Sequence, residues 1–149
     1  VRAVVIVNAL GENAMNESKR GTILTVISIL LVLLAIEDIL KPFHLEGPTT
    51  GLVFFGTRLS GTADAIIAPL FGLFLLFYAL AVWRMRKLAL TVAFGYAIYV
   101  TINLLLFTMH YPAPTARSDQ IFGIAYTVLA LAITWSAAIY LSRRKADLS

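Results

Sequence analysis

AIIAPLFGLFLLFYALAVW-RMRK-LALTVAFGYAIYVTINLLLFT, residues 65–108, decides the fold of this 149-residue chain. Two charge-free stretches flank the basic turn Arg84-Met85-Arg86-Lys87. A helix needs about 20 mostly apolar residues to cross roughly 30 Å of hydrocarbon, and each stretch reaches that length. So short a turn between two such helices makes them an antiparallel hairpin.

Working outward, the runs Gly21–Ile36 and Gln120–Ser142 are also free of charge, as are Ala65–Trp83 and Leu88–Ala116. Four spans follow, at about residues 22–40, 63–83, 88–108 and 121–141. Lys41-Pro42 stops the first, and Tyr111-Pro112-Ala113-Pro114 breaks the third. Pro69 is expected to kink the second. The expected fold class is all-α: an integral membrane four-helix bundle in antiparallel up-down order, with a long first extracytoplasmic loop. Residues 1–20 form a cytoplasmic segment, 21–142 the membrane domain and 143–149 a basic tail. Val1 reads as a GTG start, which suggests a bacterial gene; Met15 is the alternative start.

Hydrophobic residues make up 60% of the chain and charged residues 13%, against about 25% charged in an average soluble domain. A soluble chain of this length could not hide so much apolar surface in one core. The formal net charge of +4 invites a nucleic-acid reading, but the cations sit at span ends. On one side lie Arg2, Lys19, Arg20, Arg84, Arg86, Lys87, Arg143, Arg144 and Lys145, and on the other Lys41, Arg58 and Arg117. Nine against three puts both termini in the cytoplasm of a multi-pass protein, with a bacterial inner membrane as the expected location. Anionic lipid headgroups, not nucleic acid, are the expected partners of these cations.

Small residues recur at i+4 along the spans: Ala89, Ala93, Ala97 and Thr101 on the third, and Ala130, Thr134 and Ala138 on the fourth, with Gly123 and Thr127 above them. On the second, Ala65, Ala68, Gly72 and Ala79 share a face. Such faces let helices approach closely within the bundle, against another membrane protein or against a second copy. Phe94, Ile98, Ile102 and Leu105 are expected to face lipid.

The polar residues near the outer side carry whatever chemistry there is. Glu37 and Asp38 end the first span, and Lys41 is placed to pair with Glu37 at i+4. Asp38 points about 100° away from Glu37, toward Arg58, Arg117 or His110 across the bundle. Asp64 opens the second span where a helix N-terminus favours a carboxylate, on one stripe with Phe71 and Tyr78. Tyr96, Tyr99, Asn103 and His110 share one side of the third span, and Asn103 needs a hydrogen-bond partner at that depth. It is expected to bond a serine, threonine or tyrosine of a neighbouring helix, or to line a polar groove. Glu37, Asp38, Arg58, Asp64, Tyr96, Tyr99, Asn103 and His110 therefore form the candidate outward-facing cluster. The outer loop, residues 41–62, is too long for a plain connector. With Phe54, Phe55 and four glycines, it is expected to lie on the membrane surface or cap the bundle, with a lid as the alternative.

No catalytic residue and no cofactor is expected. His44, His110 and the scattered carboxylates lack metal-ligand spacing, and the absence of cysteine removes thiolate chemistry. No mid-membrane carboxylate or arginine series suggests a proton-driven carrier or voltage sensor. The expected function is that of a non-enzymatic binding or accessory membrane protein. A carrier or channel for a small or lipophilic solute is the first alternative, and a membrane-embedded lipid-modifying enzyme the second.

Overall fold

The computed structural model describes residues 2–43, 51–112 and 115–149, excluding the side chains of residues 2–4, 13 and 16–19. His44, Gly47 and the last two residues of the breaker, Ala113 and Pro114, lie outside the described residues. Four helices dominate: α1 (Arg2–Leu40), α2 (Gly61–Trp83), α3 (Lys87–His110) and α4 (Arg117–Arg143). Each supplies a segment long and apolar enough to cross a membrane, from Arg20–Phe43, which runs one short turn past the end of α1, to Arg117–Arg143 in the last. They suggest a multi-pass membrane protein. Pro69 sits within α2, which continues through it to Trp83. The segment before the first span is helical too, and α1 is broken at Gly21 (φ 70°, ψ 170°).

Helix partners follow residue size. Along α1 the buried positions are Arg20, Leu24, Ile27, Ser28, Leu31, Ala35 and Asp38, the spacing of one continuous helical stripe. That stripe packs on α2, and the two backbones come close together at Gly72. A Cβ there would lie 2.7 Å from the Ala35 carbonyl oxygen and 2.7 Å from a side-chain carbon of Ile39. Only glycine lets the two backbones meet so closely. On the other side of the molecule α3 packs on α4. Ala89, Ala93 and Ala97 are fully buried, as are Ala138 and Leu141 of α4. At the next position of the α3 stripe, the Trp135 indole N–H donates to the Thr101 hydroxyl (3.1 Å), which itself donates to the Ala97 carbonyl (2.8 Å). Phe94, Ile98, Ile102 and Leu105 point outward, whereas Ala65 and Gly123 make no such seam: both are exposed, and Gly123 has open space around it.

Although only a tight turn joins α2 to α3, the two helices share little backbone contact. Aromatic rings stand between them: Tyr78 against Tyr96 (5.7 Å between centroids), and Phe71 against Tyr96 (6.3 Å) and Tyr99 (5.5 Å). The molecule is thus two tightly packed pairs, α1–α2 and α3–α4, spaced by rings.

The pairs are tied at both ends. At the basic end Arg20 of α1 is buried and closes the α1–α2 pair, its guanidinium stacked 3.6 Å from the Trp83 ring centre and donating to the Trp83 carbonyl (3.0 Å). The last residues fold back instead of trailing free. Leu148 is buried, the Ser149 amide donates to the Met85 carbonyl, and the Lys87 amide donates to the Ser149 carbonyl, both at 2.9 Å. At the other end a short antiparallel hairpin, β1 (Val53–Phe54) and β2 (Thr57–Arg58), covers the helices. Its two-residue turn has positive φ at both Phe55 (46°) and Gly56 (75°), the type I′ arrangement that suits the twist of a hairpin.

Candidate functional site: a cavity between the helix pairs

Ring-spaced helices leave room between them. A cavity of about 550 Å³ lies between the two pairs, beneath the hairpin. Its deep part is aliphatic and aromatic: Ile27, Leu31, Leu75, Tyr78 and Ala137. Toward the hairpin it becomes polar, with Glu37, Asp38, Lys41, Arg58, Tyr99 and Asn103. Along α1 the wall from residue 27 to residue 41 rises roughly 21 Å at 1.5 Å per residue. A long apolar slot with one charged end results.

The slot is open on one side. Leu30 and Leu34 of α1 and Leu129 and Ile133 of α4 line it, yet each keeps between 36% and 60% of its surface exposed. Contact between α1 and α4 is sparse. One close approach lies at the basic end, where the Arg144 guanidinium is beside Gly21. The gap is therefore flanked by leucine and isoleucine at the depth of the apolar segments, where a bilayer would present hydrocarbon.

At the charged end, Lys41 reaches both carboxylates of α1. Its ammonium donates to Glu37 (3.2 Å) and, in a shorter contact, to Asp38. The sequence reading paired Lys41 with Glu37 alone and sought the partner of Asp38 across the bundle. Positions i+3 and i+4 are both neighbours on a helix, and the flexible lysine stem lies between the two carboxylates. Asp38 continues the buried stripe of α1 and is only 5% exposed; Glu37 is open to the surface.

The hairpin is clamped by side chains from the helices beneath it. Asn103 uses both ends of its amide: the oxygen accepts from the Gly56 N–H (2.7 Å) and the nitrogen donates to the Val53 carbonyl (3.0 Å). Its partner is thus hairpin backbone, where the sequence reading looked to a side chain on a neighbouring helix. The separate oxygen and nitrogen of one amide accept and donate at once, which matches an N–H and a carbonyl presented by two different hairpin residues. Asp64, almost fully buried, accepts from the Leu52 N–H (2.8 Å), and the Tyr111 hydroxyl accepts from the Arg58 N–H (3.1 Å). Phe54 and Phe55 complete the ring cluster against Phe71 and Tyr99.

Of the eight candidates, the structure brings Glu37, Asp38, Arg58, Tyr96, Tyr99 and Asn103 to the cavity. Asp64 is spent on the hairpin, and His110 is exposed, its ring Nδ1 against the Leu106 carbonyl (2.8 Å). His110 follows Asn103 by seven residues, which carries it beyond the clamp and out of the bundle. The α4 wall, Tyr126, Ala130 and Thr134, was missed as a lining. Its i+4 spacing was visible, but the small residues there were read as a helix seam alone. Among the described residues no group of histidine and carboxylate side chains could hold a metal ion. Comparison with protein-family models, curated proteins and solved structures found no match.

Proposed function

We propose that this chain is a non-enzymatic membrane protein that binds a lipophilic molecule with one polar end, taken up sideways from the bilayer. The observation that carries this reading is the 550 Å³ slot, apolar in depth, charged at one edge and bordered by exposed leucines. That volume falls in the range of small-molecule sites. In a bilayer the cavity wall is no more apolar than lipid, so the tail of a ligand gains little by entering. Affinity must come from shape and from the charged edge, where the dielectric is low and few waters compete.

Both termini are proposed to face the cytoplasm of a bacterial inner membrane, in a bundle of up-down order, with the hairpin loop outside; the basic residues gathered at one end support this. The small-residue faces of α2, α3 and α4 are largely consumed inside the monomer. That favours a ligand-binding role over an accessory subunit that docks through those faces. An enzyme would need Asp38, Asp64 or His110 to converge on one pocket; Asp38 reaches the cavity, but Asp64 is held by Leu52 and His110 is exposed.

The test is extraction of the purified protein in dodecyl maltoside, with mass spectrometry of what co-purifies, beside an Ala130→Trp variant. The indole would fill the slot from its α4 wall. The wild-type chain should retain a stoichiometric amphiphile that the folded variant lacks. Equal retention by both, or none by either together with no immobilisation of any spin-labelled alkyl chain, would sink the reading.

A further inference from the structure

The charged edge says which polar end the ligand carries. This inference rests on the binding reading above and deepens it. We propose that the slot recognises an organic cation, an amine or quaternary ammonium on a single apolar chain, and that the Lys41 ammonium is a tethered stand-in that the ligand displaces.

Two carboxylates share one ammonium at this edge. Asp38 is buried on the packing stripe of α1, where a carboxylate is costly unless a cation compensates it. Lys41 supplies that cation from the end of a flexible stem, so it can leave without unfolding the helix. The same cavity holds the rings of Tyr96 and Tyr99, stacked at 6.3 Å with 23° between their planes, and the ring of Phe71. Aromatic faces attract cations, most strongly those with weakly hydrated alkyl substituents that a lysine lacks. The Tyr99 hydroxyl is buried close to the Phe55 backbone without a hydrogen bond of standard geometry, leaving a polar atom among these rings.

An anion fits worse. To reach Lys41 it would have to displace two carboxylates, both of which would then repel it. Arg58, the other charged residue at the cavity, sits on the hairpin with its guanidinium 6.0 Å from the Phe107 ring centre. The volume of the slot suits one chain, which favours a single-tailed amine over a two-tailed phospholipid.

The experiment uses the full chain in dodecyl maltoside, a detergent without charged groups. Spin-labelled octadecyl chains ending in trimethylammonium, hydroxyl or sulfate are added, and the immobilised fraction is read by electron paramagnetic resonance. The trimethylammonium chain should be held about tenfold more tightly than the alcohol, and the sulfate no better than the alcohol. Asp38→Asn should abolish that preference while leaving alcohol binding intact. Lys41→Met should raise affinity for the ammonium chain several-fold, an outcome that structural damage would not produce. A spin-labelled phosphatidylcholine immobilised in the same Asp38-dependent way would support ammonium recognition with a lipid headgroup as its source. Equal binding of all three heads, or loss of ammonium binding in Lys41→Met, overturns the cation assignment and leaves the lipophilic reading standing. Failure of every chain to bind overturns both.

Discussion

Helix α2 has two sides, and they do opposite things. Where it meets α1, Gly72 admits the Ala35 carbonyl and the backbones close up. Where it meets α3, Phe71 and Tyr78 hold the helices at ring distance and a cavity remains. The two seams lie on the same helix at the same depth, so the solvent around them cannot explain the contrast. Side-chain size does. In an apolar medium helices are drawn together by packing and not by escape from water, so small residues make scaffold and rings make space.

The largest effect is expected from closing that difference on the tight side. Gly72→Leu drives a side chain into the Ala35 carbonyl and should cost about 3 kcal/mol or more, read as loss of folded monomer in a detergent unfolding titration. Asn103→Leu comes next. It strips the Gly56 N–H and the Val53 carbonyl of their partner, at about 2 kcal/mol, and should free the hairpin. Hydrogen exchange at residues 52–59 should rise while the α1–α2 seam stays protected. On the ring side, Phe71→Ala should cost less than the roughly 3–5 kcal/mol of a dense core, because its neighbours already border empty space. A thermal-shift loss as large as that of Gly72→Leu would erase the contrast between the seams. Gly123→Ala should change stability by no more than about 0.5 kcal/mol, since open space surrounds it.

The difference between the seams also marks what was legible in the sequence. The spans were, because about 20 apolar residues without charge have few other uses. So were the buried alanines of α3, whose i+4 spacing is intact. Partner choice was not. Adjacency suggested that α2 and α3 pack as a hairpin, but periodicity reports which face is small or bulky and not which helix meets it. At the candidate site, the inward direction of Asp38 was readable from its 100° offset from Glu37, while its pairing with Lys41 needed the flexible stem in place. The clamp was hidden for another reason. The hairpin rests on Phe55 adopting positive φ beside Gly56, a conformation disfavoured by an aromatic side chain, which the contacts of Asn103, Asp64 and Tyr111 help to over-determine.

The central claim is that the space between the helix pairs is apolar and open to the bilayer. The chain has no cysteine, so Ala130→Cys carries a single spin label into the α4 wall. Power saturation in bilayers should show high collision with oxygen, which dissolves in lipid, and little with a water-soluble nickel chelate. A label reached mainly by the nickel chelate would mean a water-filled pore, and one reached by neither would mean a closed core; either result contradicts the account.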